Sequence, residues 1–422
     1  MLYERWRNIA GDRRNELALR DTVSGRRWTF AELFAAGEAQ AIGRAGTAFP
    51  QGHSPEFILD LLAAWRENKM VCPLEPGQLP PEISRPPKNC VHFKSTSATA
   101  GAARLVAFTA GQLMADADNI VATMGLRADW PNLGVISMAH SYGFSHLVLP
   151  LLLHGIPLIL APVPLPEIIR RAAENEPAIT IAAVPAMWRA WHEAKAIPSS
   201  VRLAISAGAP LSVDLEQAIF KSCGLKIHNF YGASECGGIA YDASETPRTD
   251  TALAGRTMQN VNLSLNDRGC LVVRSRAVAE TYWPGKLDSL GGGIFHTSDL
   301  AELKDGQVYL RGRLGDQINV AGRKVSPETI ERALRAHPQV RECLVFGAPS
   351  RDVERTEIIV AVIVGGAVEK KLKQFLLQML PAWQVPREWR FVESLSVNAR
   401  GKVSRAGWRK RFLAEQGESS PG

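Results

Sequence analysis

The segment Arg311–Glu331, RGRLGDQINVAGRKVSPETIE, holds the features that decide how this chain is organised. Its glycines lie between two denser regions, and glycine can absorb the large backbone change that a swivel between domains needs. Its end, Ser-Pro-Glu followed by an apolar-periodic run, is typical of the first turn of a helix. We therefore predict a large N-terminal domain over residues 1–312, a hinge over 313–316 and a small, mobile C-terminal domain over 317–422.

Short apolar runs alternate with helical patterns on both sides of this segment. Helices are predicted to begin at Ser54, Ser212 and Ser326. The predicted strands are AITIAAVP (178–185), VRLAISAG (201–208), LKIHNFYG (225–232), CLVVRS (270–275), ECLVFGAP (342–349) and TEIIVAVIVGG (356–366). This alternation indicates an α/β fold of helix-covered sheets, followed by a compact α+β domain. The first three strands end in small residues, where open α/β sheets bind their ligands.

The composition is that of an ordinary globular protein, with 422 residues, 46% hydrophobic residues and a formal net charge of +7. A basic balance suits anionic ligands such as nucleotides. The densest basic run, Arg405–Arg411, is short, and we interpret it as a solvated helix face. No nucleic-acid partner is predicted, because no extended basic cluster or nucleic-acid motif is visible.

The sequence does not indicate a membrane protein, a disulfide-stabilised protein or a zinc-binding protein. The six cysteines are scattered without a C-x-x-C pair, which indicates reduced thiols. The first turns of the chain are charged, so no signal peptide is evident. The longest apolar run is interrupted by Pro150, Gly155 and Pro157, and it predicts two buried elements and no membrane span. We expect a cytoplasmic protein.

Four segments offer polar groups that could act on a nucleotide. The loop NFYGASECGG offers Tyr231, Ser234 and Glu235, a set able to stack a purine, hold a phosphate and bind Mg²⁺. HTSDL offers Asp299, NARGKVSR offers Lys402, and STSATAGAAR offers hydroxyls among small residues. Taken singly, the same segments are also explained as a strand corner, a turn, a surface charge and a polar linker.

In their order along the chain, these segments resemble the motifs of the acyl-adenylate-forming superfamily, which includes acyl-CoA synthetases, nonribosomal peptide adenylation domains and firefly luciferase. STSATAGAAR resembles the phosphate loop T-S-G-T-T-G-x-P-K, and NFYGASE resembles N-x-Y-G-x-T-E. SMAHSYGFS, SAGAPL, HTSDL and NARGKVSR are similar to further motifs of the family. Arg311–Glu331 matches the hinge motif closely, and the resemblance extends from about Trp6 to Arg405.

The resemblance implies a role for each matching residue. The residues that it implies contact ATP are Thr96, Ser97, Thr99, Gly101, Arg104, Gly208, Ala209, Pro210, Asn229, Tyr231, Gly232, Ser234, Asp299 and Arg313. The other implied roles are catalysis for Lys402, Glu235 and His140, magnesium binding for Glu235 and Ser234, the hinge position for Gly315 and the thiol-arm channel for Gly322. Tyr231 would stack on adenine, Asn229 would reach its amino group, and Asp299 would bind the ribose hydroxyls. His140 would gate the acyl pocket.

Three regions depart from the family pattern. In the phosphate loop, Ala98, Ala100, Ala103 and Arg104 replace a glycine, a threonine, a proline and a lysine, so one hydroxyl is lost while the positive charge remains. The stretch 46–90 is shorter than in typical members. At the hinge, a glycine replaces a charged residue, which should ease rotation.

The resemblance implies an acid–thiol ligase that uses ATP, Mg²⁺ and CoA, namely an acyl-CoA synthetase. We expect the acyl pocket to be lined by His140, Tyr142, Phe144, Val184, Met187, Ala207, Gly237 and Gly238. The last two glycines imply space, which favours a medium- or long-chain or aryl acid. One alternative is an adenylating ligase that loads the phosphopantetheine of an acyl or peptidyl carrier protein. The other, suggested by the altered loop, is an inactive nucleotide-binding pseudo-enzyme.

Overall fold

The computed structural model describes residues 1–43, 45–96, 104–350, 357–395 and 403–418. The helices in these ranges are α1 (Leu2–Asp12), α2 (Phe30–Ala39), α3 (Pro55–Arg66), α4 (Ala110–Met124), α5 (Ser141–Gly143), α6 (Leu149–His154), α7 (Pro166–Ala173), α8 (Pro185–Glu193), α9 (Val213–Cys223), α10 (Pro327–Arg335), α11 (Glu369–Met379) and α12 (Arg405–Glu418). A π-helical turn spans Phe144–Val148, and 3₁₀ turns span Leu314–Asp316 and Ala382–Gln384.

Twenty-four strands lie in the described ranges. The first twelve are β1 (Leu17–Asp21), β2 (Arg27–Thr29), β3 (Thr47–Ala48), β4 (Met70–Val71), β5 (Cys90–Ser95), β6 (Leu105–Thr109), β7 (Asn132–Gly134), β8 (Leu158–Leu160), β9 (Ile179–Ala183), β10 (Val201–Ser206), β11 (Ile227–Ala233) and β12 (Gly237–Tyr241). The others are β13 (Leu253–Thr257), β14 (Val261–Leu265), β15 (Cys270–Ser275), β16 (Thr281–Trp283), β17 (Leu290–Gly291), β18 (Ile294–Lys304), β19 (Gln307–Arg313), β20 (Ile318–Val320), β21 (Arg323–Val325), β22 (Val340–Pro349), β23 (Glu357–Gly365) and β24 (Glu388–Val392).

The N-terminal part of the chain is built on a 14-stranded sheet. Strands β11, β10, β9, β7, β8 and β1 lie side by side and parallel. Every residue of β9 is buried, as expected for a parallel strand covered on both faces. From β11 onward, through β12, β13, β19, β18, β15 and β14, the sheet is antiparallel. The change of direction falls on β11, the strand that carries Tyr231.

The elements predicted from the sequence form where they were expected. All six predicted strands are strands, and the three predicted helices begin one residue after their predicted caps. Ser212 accepts a hydrogen bond from the Leu215 N–H at 3.3 Å, and Gly224 ends this helix in the left-handed conformation. Ser54 and Ser326 occupy the cap position without a side-chain cap hydrogen bond.

The apolar run around Gly155 forms two buried elements, as predicted. One is helix α6, which continues the π-helical turn, and the other is strand β8. Gly155 lies between them with a φ of 66°. Among the helices of the described residues, none is both long and apolar enough to cross a membrane.

A second sheet, in the order β16-β6-β5-β4-β3, carries the predicted phosphate loop. Strands β5 and β6 are antiparallel neighbours, with Ser95 opposite Leu105. The two flanks of the loop therefore lie side by side. Residues 97–103, which include the predicted ATP contacts Ser97, Thr99 and Gly101, lie outside the described residues.

The C-terminal part has its own sheet and its own cores. Strand β23 lies between β22 and β24, and its side chains alternate between two faces. Ile359, Ala361 and Ile363 pack with α10 and α11, whereas Val360 and Val362 pack with α12. The hydrophobic core of the preceding residues ends at Val308. The predicted hinge residues therefore lie between separate cores.

Candidate active site

Three predicted nucleotide contacts meet around one carboxylate. The Tyr231 hydroxyl donates a hydrogen bond to Asp299 Oδ2 at 2.5 Å, and Arg313 Nε donates to Asp299 Oδ1 at 2.8 Å. Asp299 and Arg313 are directly opposite each other on β18 and β19, whereas Tyr231 comes from β11. Burial and the charge of Asp299 raise the pKa of Tyr231, so its hydroxyl remains a donor. Side chains from strands that are not all neighbours in the sheet thus form one polar cluster.

Glu235, the predicted magnesium ligand, is held by a tyrosine that the sequence did not single out. The Tyr282 hydroxyl donates to Glu235 Oε1 at 2.9 Å. Burial raises the pKa of Glu235, and the hydrogen bond from Tyr282 partly offsets that rise. The charges of Arg313 and Asp299 also act on Glu235, so the two carboxylates belong to one electrostatic site.

Thr96 and Arg104 pair at the base of the predicted phosphate loop. The Thr96 N–H donates to the Arg104 carbonyl at 2.9 Å, and the Arg104 N–H donates to Thr96 Oγ1 at 3.2 Å. The Thr96 hydroxyl and backbone are thus engaged with the other flank of the loop. The Arg104 guanidinium lies over the Tyr282 ring, 6.0 Å from its centroid. Arg104 therefore points toward the side of the site that holds Glu235.

The segment that precedes the π-helical turn contains His140 and also contacts Ser234. The Ser141 hydroxyl donates to Ser234 Oγ at 2.7 Å. His140 Nε2 lies 2.9 Å from Glu75 Oε1, and the Ser137 hydroxyl also donates to that oxygen. Glu75 belongs to the shortened 46–90 stretch. The predicted gate residue is thus paired with a carboxylate from the region where the chain departs most from the family pattern.

The predicted adenine contacts lie at the ends of β10 and β11. Gly208, Ala209 and Pro210 are exposed just after β10, and Gly208 has a φ of 84°. Asn229 is buried and donates its amide to the Ala254 carbonyl at 3.0 Å. A Cβ at Gly232 would lie 2.6 Å from the Gly237 carbonyl oxygen, so this glycine is required by the close approach of β11 and β12.

The interpretation of Gly237 and Gly238 as open space was wrong. A Cβ at Gly237 would lie 1.9 Å from Asp116 Oδ1, and a Cβ at Gly238 would lie 2.3 Å from Met258 Sδ. The volume beside both glycines is therefore filled by protein. Their small size permits close packing of Asp116 and Met258, and it gives no measure of acyl length.

Lys94 and Asp116 form a buried ion pair behind the site. Lys94 Nζ lies 3.0 Å from Asp116 Oδ2 and 2.9 Å from Ser145 Oγ, and both charged side chains are at most 1% exposed. Asp116 Oδ1 has no hydrogen-bond partner and packs against the turn at Gly237. The pair connects β5, α4 and the π-helical turn. Nothing in the sequence pattern indicated it, because Lys94 lies in an ordinary strand.

Three aromatic rings pack together where the acyl pocket was expected. His146 contacts the rings of Tyr142 and Phe230 edge-on, with centroids 4.7 and 4.6 Å apart. Tyr142 donates its hydroxyl to the Ala183 carbonyl at 3.3 Å. Phe144 instead stacks on His92, with ring centroids 4.2 Å apart. Tyr142, one of the residues expected to line the acyl pocket, thus packs with His146 and Phe230, which the sequence did not single out.

The hinge segment is tied to the C-terminal part by Arg405. Gly315 lies in a 3₁₀ turn with open space around it, so a side chain would fit there. Arg405 Nη1 lies 3.1 Å from Asp316 Oδ2 and 2.7 Å from Glu328 Oε1, and Nη2 lies 2.9 Å from Glu331 Oε1. The interpretation of Arg405 as part of a solvated helix face was therefore wrong.

The other two predicted residues, Gly322 and Lys402, belong to the C-terminal part of the chain. Gly322 lies in the β20–β21 turn with a φ of 80°, and its N–H donates to Asn319 Oδ1 at 3.0 Å. Lys402, the predicted catalytic lysine, lies outside the described residues. Its role and that of Gly322 stay predictions.

The residues present fit a magnesium ion that arrives with ATP. In the described residues, no three His, Cys, Asp or Glu side chains form a cluster that could hold a metal by themselves. Mg²⁺ usually binds one or two carboxylates and takes its other ligands from phosphates and water. Glu235 is half-buried, and Tyr282 engages one of its two oxygens. Within the described residues no other side chain donates to this carboxylate, and a carboxylate has lone pairs enough to bind a cation as well.

The fold of this chain matches the folds of solved structures. The ATP-bound structure of MatB from Rhodopseudomonas palustris superimposes with a TM-score of 0.86 over 97% of this chain and 98% of that chain. The two sequences are 19% identical, so the likeness shows the fold. It confirms the predicted α/β architecture of a large N-terminal and a small C-terminal domain.

The sequence matches the AMP-binding enzyme family over residues 56–283 and the AMP-binding enzyme C-terminal domain over residues 329–402. The first match alone covers more than half of the chain. The chain therefore belongs to the AMP-binding enzyme family. The resemblance stated from the motifs and the prediction that the chain is an enzyme are confirmed.

Two relatives show how far the similarity extends. The uncharacterized acyl-CoA ligase YhfT of Bacillus subtilis is 29% identical over 236 residues, which are 54% of this chain and 49% of YhfT. The 2-succinylbenzoate–CoA ligase of Bacillus cytotoxicus is 26% identical over 384 residues, which are 82% of this chain and 79% of that enzyme. This chain thus spans about half of the first relative and most of the second.

Proposed function

We propose that the chain activates a carboxylic acid with ATP and transfers the acyl group to the thiol of CoA. The observation that carries the proposal is the cluster of Tyr231, Asp299 and Arg313 in one electrostatic site with Glu235. These groups come from β11, the turn after it, β18 and β19. Their convergence gives a nucleotide both a ribose-binding carboxylate and a carboxylate for its metal ion.

In the first step, a carboxylate oxygen attacks the α-phosphorus of ATP, and the bond to pyrophosphate breaks. Asp299 would accept hydrogen bonds from the ribose hydroxyls, because each of its oxygens retains a lone pair beyond the bonds to Tyr231 and Arg313. Arg104 and the phosphate loop would offset charge on the leaving group. Bound Mg²⁺ would supply further charge neutralisation at the phosphates, held by Glu235 and Ser234.

Lys402 would neutralise the charge that gathers between the carboxylate and the α-phosphate. In the second step, the CoA thiol attacks the adenylate carbonyl, a thioester forms, and AMP leaves. The residues around Gly315 would allow the small domain to turn between the steps, since its surroundings are open. Gly322 would then leave room for the thiol arm.

The proposed acid is an aryl or a medium- to long-chain carboxylic acid. The rings of Tyr142, His146 and Phe230 offer an aromatic wall, and aromatic rings pack favourably on one another. A relative that covers most of the chain is named for an aryl acid, 2-succinylbenzoate. The paired Glu75 and His140 would lie at the mouth of this pocket.

Pyrophosphate release with a panel of benzoates, fatty acids and acetate tests the proposal. Lys402→Ala should lower the adenylation rate at least about a hundredfold, because it removes a cation at the reacting phosphate. The same variant should still form thioester from supplied acyl-adenylate. Lys410→Ala, on the exposed face of α12, is the matched control. Unchanged adenylation in Lys402→Ala would remove the role given to this lysine.

The thiol acceptor is tested in the same assay. CoA and a carrier protein's phosphopantetheine present the same thiol, so both are supplied and the thioester product is identified. Transfer to the carrier alone would make the chain a carrier-loading ligase. Tight ATP binding without pyrophosphate exchange for any acid would make it a pseudo-enzyme.

A further inference from the structure

Tyr282 contacts two groups that the proposed reaction uses. Its hydroxyl donates to Glu235 Oε1 at 2.9 Å, and its ring faces the Arg104 guanidinium at 6.0 Å. Glu235 follows β11, whereas Arg104 ends the phosphate loop. A single side chain therefore connects the predicted metal ligand with the predicted phosphate loop.

The backbone around Tyr282 connects the same two places. Strand β16 pairs antiparallel with β6, the strand that leaves the loop, and Tyr282 lies opposite Val106. Just before β16, the Ala279 N–H donates to the Glu235 carbonyl at 2.8 Å. The segment is thus bound to the loop strand on one side and to the Glu235 main chain on the other.

The tyrosine itself has little freedom. Tyr282 is 8% exposed, and its neighbour Trp283 packs on Phe93 of β5 with ring centroids 5.7 Å apart. In the described residues, no other side chain donates a hydrogen bond to the Glu235 carboxylate. Apart from the Glu235 backbone, which also hydrogen-bonds this carboxylate, the orientation of the carboxylate therefore depends on the Tyr282 hydroxyl.

We propose that Tyr282 is a positioning residue, which orients Glu235 for the metal-bound form of ATP and supports Arg104 with its ring. The proposal rests on the proposed role of Glu235 as a magnesium ligand. With Oε1 fixed by the hydroxyl, the second carboxylate oxygen has a constant direction. Pre-organisation of this kind strengthens binding, because less freedom is lost when the ligand arrives.

Calorimetric titration with ATP, in magnesium and in EDTA, tests the hydroxyl. Tyr282→Phe should raise the Kd for ATP about tenfold in magnesium, since it removes a hydrogen bond to a charged group. It should change the Kd in EDTA by less than about twofold, because the ring remains under Arg104. Tyr309→Phe is the matched control, since that hydroxyl donates only to Gln307 of its own strand.

Tyr282→Leu separates the ring from the hydroxyl. It should weaken ATP binding in EDTA as well, because Arg104 loses the ring beneath it. An unchanged Kd in magnesium for Tyr282→Phe would overturn the proposal, and so would an equal loss with and without the metal. Thermal unfolding checks that both variants are folded.

The titration needs neither a carboxylic acid nor a thiol. A wild-type protein that binds ATP with magnesium but releases no pyrophosphate would contradict the proposed function while still testing Tyr282. A wild-type protein whose ATP affinity does not depend on magnesium would overturn the positioning role itself.

Discussion

Residues 1–316 contain 31 Lys and Arg and 31 Asp and Glu, whereas residues 317–422 contain 18 and 11. The whole formal net charge of +7 therefore belongs to the last quarter of the chain. The neutral part carries the polar cluster around Asp299 and Glu235. The basic part carries Lys402 and would supply the moving cations. The two parts thus differ in charge: the neutral part carries the polar cluster, and the basic part is the one that would attract anionic ligands.

The two parts also differ in where their ion pairs lie. In the large part, Lys226 and Arg248 bind Glu216, Lys226 also binds Asp242, and all four side chains are at most 7% exposed. In the small part, the side chain of Arg405, which contacts three carboxylates, is 24% exposed. Buried pairs are rigid because breaking them leaves an uncompensated charge in a poor solvent. Breaking the buried network of the large part should therefore cost more than breaking the contacts of Arg405.

Removal of Glu216 should give the largest effect. Glu216→Ala leaves Lys226 and Arg248 without their shared carboxylate, which should lower the free energy of unfolding by about 3–5 kcal/mol. Urea denaturation measures this change. Glu245→Ala, an exposed carboxylate a few residues from Asp242, is the control and should change little. If Glu216→Ala lowered the free energy of unfolding by less than about 1 kcal/mol, the buried ion pairs of the large part would not be its more stabilising network.

Removal of Arg405 should cost less. Arg405→Ala breaks contacts to Asp316, Glu328 and Glu331, and should lower the free energy of unfolding of the small part by about 2–3 kcal/mol. Arg411→Ala, which loses one exposed pair with Glu415, is the matched control. Equal denaturation midpoints for the two variants would show that the three contacts of Arg405 do not stabilise the small part more than one exposed ion pair does.

Acid should destabilise the large part through its buried histidines. Burial lowers the pKa of His146 from 6.5 to about 4. Between pH 7 and 5, the unfolded chain therefore binds a proton that the folded chain does not, and stability falls by about 2 kcal/mol. His146→Phe keeps a ring between Tyr142 and Phe230 but cannot titrate. Its loss between the two pH values should be smaller than that of wild type, and an equal loss would contradict this account.

Removal of exposed positive charge from the basic part should have the smallest effect of the four changes. Lys370 and Lys371 are exposed on α11 and have no ion-pair partner within the described residues. Lys370→Gln with Lys371→Gln should lower kcat/KM for CoA about twofold at low salt, because steering of an anionic ligand weakens. The difference should vanish in high salt. Lys304→Gln, on the neutral part, is the control, and a similar change there would remove the contrast between the parts.

The residues of the polar cluster were predictable because each stands in a short motif that resembles one of the family. Tyr231, Asp299 and Arg313 were chosen from separate motifs, and the sheet places them in contact. The six predicted strands and three predicted helices form because their apolar spacing and their Ser, Pro and Gly signals act locally. The close packing of Asp116 on Gly237 was unpredictable from either residue, since α4 and β12 are far apart in sequence.

By itself, the sequence determined the α/β class, the order of the nucleotide motifs and the family. Those features depend on the spacing of a few residues within short segments. The tertiary structure alone decided that Tyr282 holds Glu235, that Glu75 pairs with His140 and that Arg405 binds Asp316. Each of these contacts joins side chains from distant segments, and burial sets its strength. A sequence pattern records which groups are present, but only packing brings a given donor to a given carboxylate.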